Sequence, residues 1–327
     1  MHEWPGVSVV MPILNEERHL RAAVAGVLDQ GYPGDLELIM AIGPCTDRTH
    51  EIADELAAAD PRLTIVDNPA GRTPHALNLA IATARHGILV RVDGHGELGD
   101  RYIERAVELL AETGAANVGG VMEARGQTPF EEAVAFVYSS RFGLGGAAFH
   151  QGNVPAGPAE TVFLGVFDKA ELKAVGGFDE TMFRAQDWEL NYRLRQSGRV
   201  VWFSPELRVT YRPRSTLKAL IKQMYDTGTW RREVVRRYPD TASIRYLAPP
   251  AAVVAIGVGL AGLIVGRAIG SRLLQLGVLA PLGYGSFVAY ATSTASGALS
   301  PAARRWLPAV IAATHLSWGA GFLVGRR

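Results

Sequence analysis

The chain holds one cysteine, Cys45, so no intrachain disulfide can brace it and the fold must rest on its apolar core. A lone cysteine fits a reducing compartment. Strong charge of either sign is also missing, since 33 Lys and Arg face 32 Asp and Glu. That balance excludes a general polyanion binder, and no nucleic-acid partner is expected. The first residues, MHEWPG, have neither a basic start nor a long apolar run and do not read as a secretory leader. No Gly-x-Gly-x-x-Gly follows the first apolar run and no Gly-x-x-x-x-Gly-Lys-Ser/Thr occurs, so the usual dinucleotide and P-loop cradles are absent. Residues 246–327 contain no Asp, Glu or Lys, and their only charged side chains are six arginines, at 267, 272, 304, 305, 326 and 327. The rest of the chain is therefore net acidic, and the last quarter has the composition of membrane spans.

What is present begins with alternation. Apolar runs at 7–11, 36–42, 63–66 and 88–92 read as short strands. Between them lie segments with helical spacing, such as Leu20, Ala23, Val24, Val27 and Leu28, in a helix expected from about Glu16. A helix capped by Thr46 or Asp47 and another from His75 complete a β-α-β-α-β-α-β order. Such alternation predicts an α/β fold with a mostly parallel sheet covered by helices on both faces. Beyond it, Asp100 is expected to cap a helix, 117–122 and 160–167 to be strands, and Asp168 to cap a short helix. A helix from about 185 to 196 and two closing strands, 200–203 and 207–211, follow. The segment 125–160 yields only a possible helix at 130–142 and a Gly- and Pro-rich loop suited to a lid.

Residues 215–245 carry seven Lys or Arg and three acids, interleaved with Leu217, Leu220, Ile221 and Met224 at helical spacing. That pattern predicts a basic amphipathic helix at a membrane interface, with a solvated helix packed on its own domain as the alternative. Three apolar stretches, about 246–266, 273–293 and 306–325, each approach the ~20 residues that cross hydrocarbon. The expected organisation is a catalytic domain at 1–214, an interfacial segment at 215–245 and a membrane domain of about three spans at 246–327. Three spans put the chain's two ends on opposite sides of a cell membrane, with the large domain in the cytoplasm.

The residues with chemistry cluster at strand and helix ends. Asp93 and His95 close the fourth apolar run, where α/β sheets bind ligands. They form either an ordinary polar turn or two ligands of a divalent ion, Mg²⁺ or Mn²⁺, that substrate phosphates would complete. Asp187 opens a helix, where the ionised form is favoured and a proton could be accepted from a hydroxyl; a structural cap is the alternative. Glu189 is a weaker candidate. Arginines at 212, 214, 231 and 232 suit phosphate oxygens or lipid head groups.

Five stretches then stand in a telling order: 7–16 (VSVVMPILNE), 68–78 (NPAGRTPHALN), 91–95 (RVDGH), 176–180 (GGFDE) and Gln186-Asp187. Together they resemble the family 2 glycosyltransferases of GT-A fold, particularly the membrane-attached branch, over roughly 6–240. The resemblance implies a nucleotide-sugar donor, a divalent metal and an inverting single displacement, with transfer to a lipid-linked or polysaccharide acceptor at the cytosolic membrane face. By motif match, Asp93 and His95 take the metal and diphosphate, and Asp187 is the general base. Pro12, Leu14, Glu16, Ile42, Arg72 and Asn78 line the donor. Gln223, Trp230 and Arg231 lie where relatives carry a Gln/Arg-rich, Trp-containing motif near the diphosphate or acceptor. Two departures stand out. Ile42 occupies the place of an aspartate that reads the base, commonly uracil, and His95 replaces the second aspartate of Asp-x-Asp. A polyprenyl-phosphate glycosyltransferase and a non-catalytic, membrane-tethered nucleotide-binding scaffold are the competing expectations.

Overall fold

A computed structural model of the protein describes residues 4–144, 146–295 and 299–326. The chain folds as two compact units: residues up to Glu123 with Ala148–Tyr211, and Ala124–Ala147 with Arg212 onward. The boundary near 214 expected from sequence thus falls at 211/212, and the segment 124–147 joins the C-terminal helices.

The first unit is built on β1 (Val7–Ile13), α1 (Leu20–Leu28), β2 (Leu36–Ile42), α2 (Thr49–Ala59), β3 (Leu63–Asp67), α3 (Thr73–Thr83) and β4 (Ile88–Arg91). Then come β5 (Glu97–Leu98), α4 (Tyr102–Thr113) and β6 (Asn117–Ala124). After the excursion of 124–147 it resumes with β7 (Gly157–Pro158), β8 (Phe163–Asp168), α6 (Lys169–Ala174), α7 (Gln186–Gln196) and β9 (Val201–Tyr211). Strand order is β3-β2-β1-β4-β8-β6-β9-β5, with β7 on β9. The first four strands are parallel, β8 runs against β4 and β6, and β5 and β7 run against β9. The sheet is therefore mixed, with its parallel half where the alternation predicted it.

Strand residues point alternately to the two faces, and both faces are buried. Met11, Leu38, Met40 and Ile42 pack with α1, α2 and α4 on one face. Val10, Ile39 and Ala41 pack with α3, α6 and α7 on the other. Asp168 caps α6 as expected, accepting from the Ala170 and Glu171 amides. Two expectations shift. The helix anticipated from Glu16 begins at Leu20, because Asn15 turns into the left-handed region (φ 58°) and breaks the chain away from β1. The two closing strands are one, β9, in spite of Pro205.

The second unit comprises α5 (Pro129–Ser139), α8 (Leu217–Arg237), α9 (Ile244–Ile269), α10 (Arg272–Gln275), α11 (Leu279–Ser293) and α12 (Pro301–Val324). Thr128 and Glu131 close a reciprocal capping box on α5. Three helical stretches, Ile244–Ile269, Arg272–Ser293 and Pro301–Val324, are long and apolar enough to cross a membrane.

Candidate active site

The parallel half of the sheet fixes where chemistry can gather. The carboxyl ends of β1, β2, β3 and β4 form one edge, and backbone bonds lace it together. Gly43 N–H donates to Ile13 O at 2.9 Å, Asn68 N–H to Ile42 O at 2.8 Å and Val92 N–H to Val10 O at 3.1 Å. The turn after β4 closes through Gly96 N–H on Asp93 O at 2.7 Å. Gly94 is buried there, and a Cβ on it would stand 3.1 Å from Glu16 Cγ. A larger residue would make the Glu16 side chain give way by a few tenths of an ångström.

Asp93 and His95 leave this turn with different partners. Glu16 Oε1 accepts from His95 Nδ1 at 2.7 Å, while the Glu16 amide is held by Thr49 Oγ1 at 2.8 Å. A carboxylate at Nδ1 favours the tautomer with its lone pair on Nε2, the arrangement in which imidazoles bind metals. Asp93 Oδ1 accepts from Arg91, at 3.1 Å from Nε and 3.0 Å from Nη2. The other side of the same guanidinium, Nη1, donates to Asp187 Oδ1. Arg91 thus joins the end of β4 to the start of α7, and its side chain is only 5 % exposed.

The path that delivers Asp187 is equally specific. Gly176 and Gly177 (φ 85° and 70°) adopt left-handed geometry that other residues resist. Asn78 then ties the loop down: its Oδ1 accepts from Phe178 N–H at 3.0 Å, and its Nδ2 donates to Phe178 O at 2.9 Å and Glu180 Oε1 at 3.0 Å. The Arg72 guanidinium lies 4.7 Å from the Phe183 ring in the same loop. Ala185, left-handed at φ 59°, launches α7 with Asp187 in its first turn. Burial pushes the Asp187 carboxyl above the ordinary aspartate range. Arg91 pulls the other way and Asp93 adds to the rise. For Arg91, burial works against its charge but the two carboxylates outweigh that, so it is held firmly protonated. The Asp187 side chain nevertheless keeps 39 % of its exposure, an opening through which a hydroxyl can approach.

The sequence-predicted residues therefore separate. Asp93 and Asp187 meet on one arginine, and His95 meets Glu16. Asn78 and Arg72 hold the loop before α7. Ile42 is 2 % exposed and packs in the core among Leu38 and Met40, while Leu14 is 44 % exposed beyond β1 and Pro12 is half-buried within it. Glu189 is 1 % exposed and paired with Arg193 at 2.7 Å, a structural role. Gln223, Trp230 and Arg231 all lie on α8 in the second unit. There Gln223 accepts from Tyr138 O–H at 3.0 Å, Arg326 covers Trp230 at 4.0 Å and Arg231 covers Tyr246 at 4.1 Å. Arg91 is the residue that sequence reasoning passed over. Its signal was a charge inside the apolar run ILVRV, where burial demands an ionic partner.

The donor set suits a divalent ion in part. Among the described residues no group of three or more His, Cys, Asp or Glu stands close enough to hold one alone. An Asp93 oxygen and the His95 imidazole, with Glu16 on its Nδ1, are the donors this turn offers, and a site with two protein donors relies on substrate phosphates and water for the rest.

Comparison with known proteins accords with this geometry. Residues 8–155 match the model of the family described as "Glycosyl transferase family 2". The chain is 34 % identical to "Succinoglycan biosynthesis protein ExoA" of Rhizobium meliloti (strain 1021), over 96 % of this chain and 93 % of that one. A Methanococcus voltae protein, "Dolichyl N-acetyl-alpha-D-glucosaminyl phosphate 3-beta-D-2,3-diacetamido-2,3-dideoxy-beta-D-glucuronosyltransferase", is 24 % identical over 71 % of this chain and 74 % of its own. Among solved structures, the mannosyltransferase PcManGT from Pyrobaculum calidifontis, in complex with GDP-Man and Mn²⁺, superposes with a TM-score of 0.63. It covers 96 % of this chain and 86 % of that one at 19 % identity, and the shared fold is GT-A. With a likeness to ExoA that runs nearly end to end, the chain belongs to glycosyl transferase family 2 and is a glycosyltransferase.

Proposed function

We propose that the protein is a membrane-attached, inverting glycosyltransferase that moves a sugar from a nucleotide-sugar donor to a lipid-linked or polysaccharide acceptor, with its catalytic unit in the cytoplasm. The observation that carries the reading is Arg91, which holds Asp93 and Asp187 on one buried cation. Asp187 accepts the acceptor hydroxyl's proton as the oxygen attacks the anomeric carbon. The bond from that carbon to the diphosphate oxygen breaks, the nucleoside diphosphate leaves, and the configuration inverts. A raised pKa brings Asp187 closer to working pH, which suits a general base. Asp93 and His95 would hold Mg²⁺ or Mn²⁺, which when bound neutralises charge growing on the departing diphosphate. Arg91 holds both carboxylates in place against their mutual repulsion, so that the groups facing leaving group and acceptor stay fixed.

Membrane attachment is supported by the apolar helices of the second unit and by basic α8. The isoprenoid-linked substrate in the Methanococcus relative's name supports a lipid-linked acceptor. A bare polyprenyl phosphate is the competing acceptor, and a direct comparison of polyprenyl phosphate with polyprenyl-linked saccharides as acceptors separates the two.

Asp187→Asn tests the mechanism. Loss of the base should lower transfer about 10²- to 10⁴-fold with the fold intact. Transfer at the wild-type rate would remove Asp187 from the role. A wild-type protein that turns over no nucleotide sugar with Mg²⁺ or Mn²⁺ would favour the non-catalytic scaffold. The base is a separate question. Ile42 presents no polar group, so a thermal-shift panel of UDP, GDP, dTDP and CMP with Mn²⁺ would identify the nucleotide by the stability it adds.

A further inference from the structure

The three apolar helices of the second unit are not alike. Buried residues make up 39 % of the most apolar stretch of α12, against 11 % and 6 % for the stretches in α9 and α10–α11. Besides the start of α9, what covers α12 is two helices that carry charge, α5 and α8. Its N-terminal half lies on α5, where Ser300 Oγ donates to Glu132 at 2.8 Å and Trp306 meets Phe130 edge-on at 5.3 Å, and farther along His315 Nε2 is 2.8 Å from Phe142 O in the segment after α5. Its C-terminal half lies on α8, running in the same direction. A Cβ on Gly321 would stand 2.0 Å from Tyr225 O, and one on Gly228 would stand 1.9 Å from Trp318 O. Thr229 Oγ1 donates to Gly321 O at 3.2 Å, Arg232 to the carbonyls of Phe322 and Leu323, and Arg326 stacks on Trp230 at 4.0 Å. Tyr138 O–H on Gln223 at 3.0 Å ties α5 to α8.

A helix so bedded can cross a bilayer only if its bed crosses with it. α8 carries Lys218, Lys222, Asp226, Arg231, Arg232, Glu233, Arg236 and Arg237. Lys218 and Lys222 line a cavity of about 490 Å³ with Leu316 and Ala320, two-thirds of the way along α12. In a spanning α12 those lysines would sit deep in hydrocarbon, where charge is strongly disfavoured. The other two helices behave differently. α9 meets α12 over its first three turns, where a Cβ on Gly319 would stand 2.5 Å from Pro249 O and Tyr246 lies 6.4 Å from Trp318, and α11 meets the platform through Tyr284 O–H near His315 Nδ1 at 3.3 Å and Phe287 and Tyr290 on Phe142 at 5.9 and 5.8 Å. Farther out they pack on each other, with a Cβ on Gly277 only 2.4 Å from Gly259 O. Their far turn holds Arg267 and Arg272.

From this we infer that only the α9–α11 hairpin crosses the membrane, and that α12 lies in the membrane surface beside α5 and α8, its exposed face with Trp306, Leu323 and Val324 on lipid. This rests on the membrane-attached reading above and replaces the three spans expected from composition. Both chain ends then share the cytoplasmic side. Charge agrees: the seven basic residues of 215–245 and the arginines at 304, 305, 326 and 327 lie inside, and Arg267 and Arg272 alone lie outside. With three spans, Arg326 and Arg327 would also lie outside.

Single cysteines in a Cys45→Ser background test the topology with a membrane-impermeant maleimide. Ala268→Cys, at the hairpin's far end, should label in intact cells. Arg326→Cys should label only after permeabilisation. Because Arg326 covers Trp230, a Gly-Ser-Gly-Cys tail appended after Arg327 repeats the second measurement away from that stack. Labelling of position 326 or of the tail in intact cells overturns the inference in favour of three crossings. Failure of position 268 to label in intact cells overturns it in favour of none. Release of the protein by alkaline carbonate would instead show that the membrane reading itself is at fault, and the inference would fall with it.

Discussion

The sheet unit shares one buried arginine between two carboxylates, whereas the helical unit gives one carboxylate two arginines. In the first, burial and the neighbouring Asp93 drive the Asp187 carboxyl up against the pull of Arg91. In the second, Glu233 accepts from Arg236 at 2.9 and 2.7 Å and from Arg237 at 2.7 Å. Arg236 foremost, with Arg237 behind it, outweighs burial and pulls the Glu233 carboxyl down to about 2. The same two residue types give opposite results because burial, joined by a second carboxylate, prevails over one shared arginine at Asp187, whereas two arginines prevail over burial at Glu233. An ion pair with carboxylate in excess holds a group ready to take a proton. One with arginine in excess simply anchors a helix turn. A carboxyl whose pKa is raised by folding costs stability when it ionises.

The largest expected effect comes from removing the shared cation. Arg91→Met keeps the length of the side chain and leaves Asp93 and Asp187 facing each other with no countercharge. Breaking a buried pair from one side costs roughly 3–5 kcal/mol. Chemical unfolding in detergent measures the loss, and transfer should fall with it. Adding Asp187→Asn to Arg91→Met should return part of that stability, because one of the stranded charges is gone. Unchanged stability in Arg91→Met would mean that the bridge does not hold the two segments together.

Much of this arrangement was legible in the sequence, for reasons that differ by residue. The parallel strands could be read because both faces are buried, which leaves near-continuous apolar runs. Asp93, His95 and Asp187 could be read because they stand at element ends. Arg91 required a question about what a buried charge would pair with, and the partner sits 96 positions away. β9 read as two strands because Pro205 interrupts it. The strand survives because its neighbour changes there, from β7 at Trp202 and Phe203 to β5 at Val209 and Thr210. The start of α5 was marked by Thr128 and Glu131 in capping-box spacing, but its place among the C-terminal helices depends on contacts with residues beyond 212 that no local pattern carries. Ile42 was placed correctly at the end of β2. Its burial follows from the two-residue strand period that puts it with Leu38 and Met40.

A smaller effect sharpens the contrast within the sheet unit itself. Glu16 stands on His95 rather than on an arginine, so its charge is directed to an imidazole. Glu16→Gln keeps the shape and removes the charge that aligns the ring. Supporting partners of metal-binding histidines typically contribute about 10- to 100-fold in affinity. Electron paramagnetic resonance titration of Mn²⁺ with a nucleoside diphosphate present should show a weakening of that size, with thermal stability little changed. Unaltered Mn²⁺ affinity would return Glu16 to contact with the nucleotide alone.

The smallest effect, in the helical unit, tests the inversion by its sign. Glu233 has a folded-state pKa of about 2, below the ~4.3 of an unfolded glutamate. Its stabilisation is therefore fully present above the unfolded value and is lost as pH falls from about 4 toward 2. Arg236 is 71 % exposed, so screening holds the contribution to on the order of 1–2 kcal/mol. Glu233→Gln should lower stability by that amount at pH 7 and flatten the acid limb of the stability profile. Asp187 has the opposite sign. Its raised pKa means that ionisation opposes folding, so stability from the neutral form is present at low pH and lost as pH rises through the folded value. Asp187→Asn should accordingly be at least as stable as wild type at pH 7 while failing to transfer sugar. If both substitutions moved stability in the same direction at pH 7, charge ratio would not be what distinguishes the two clusters.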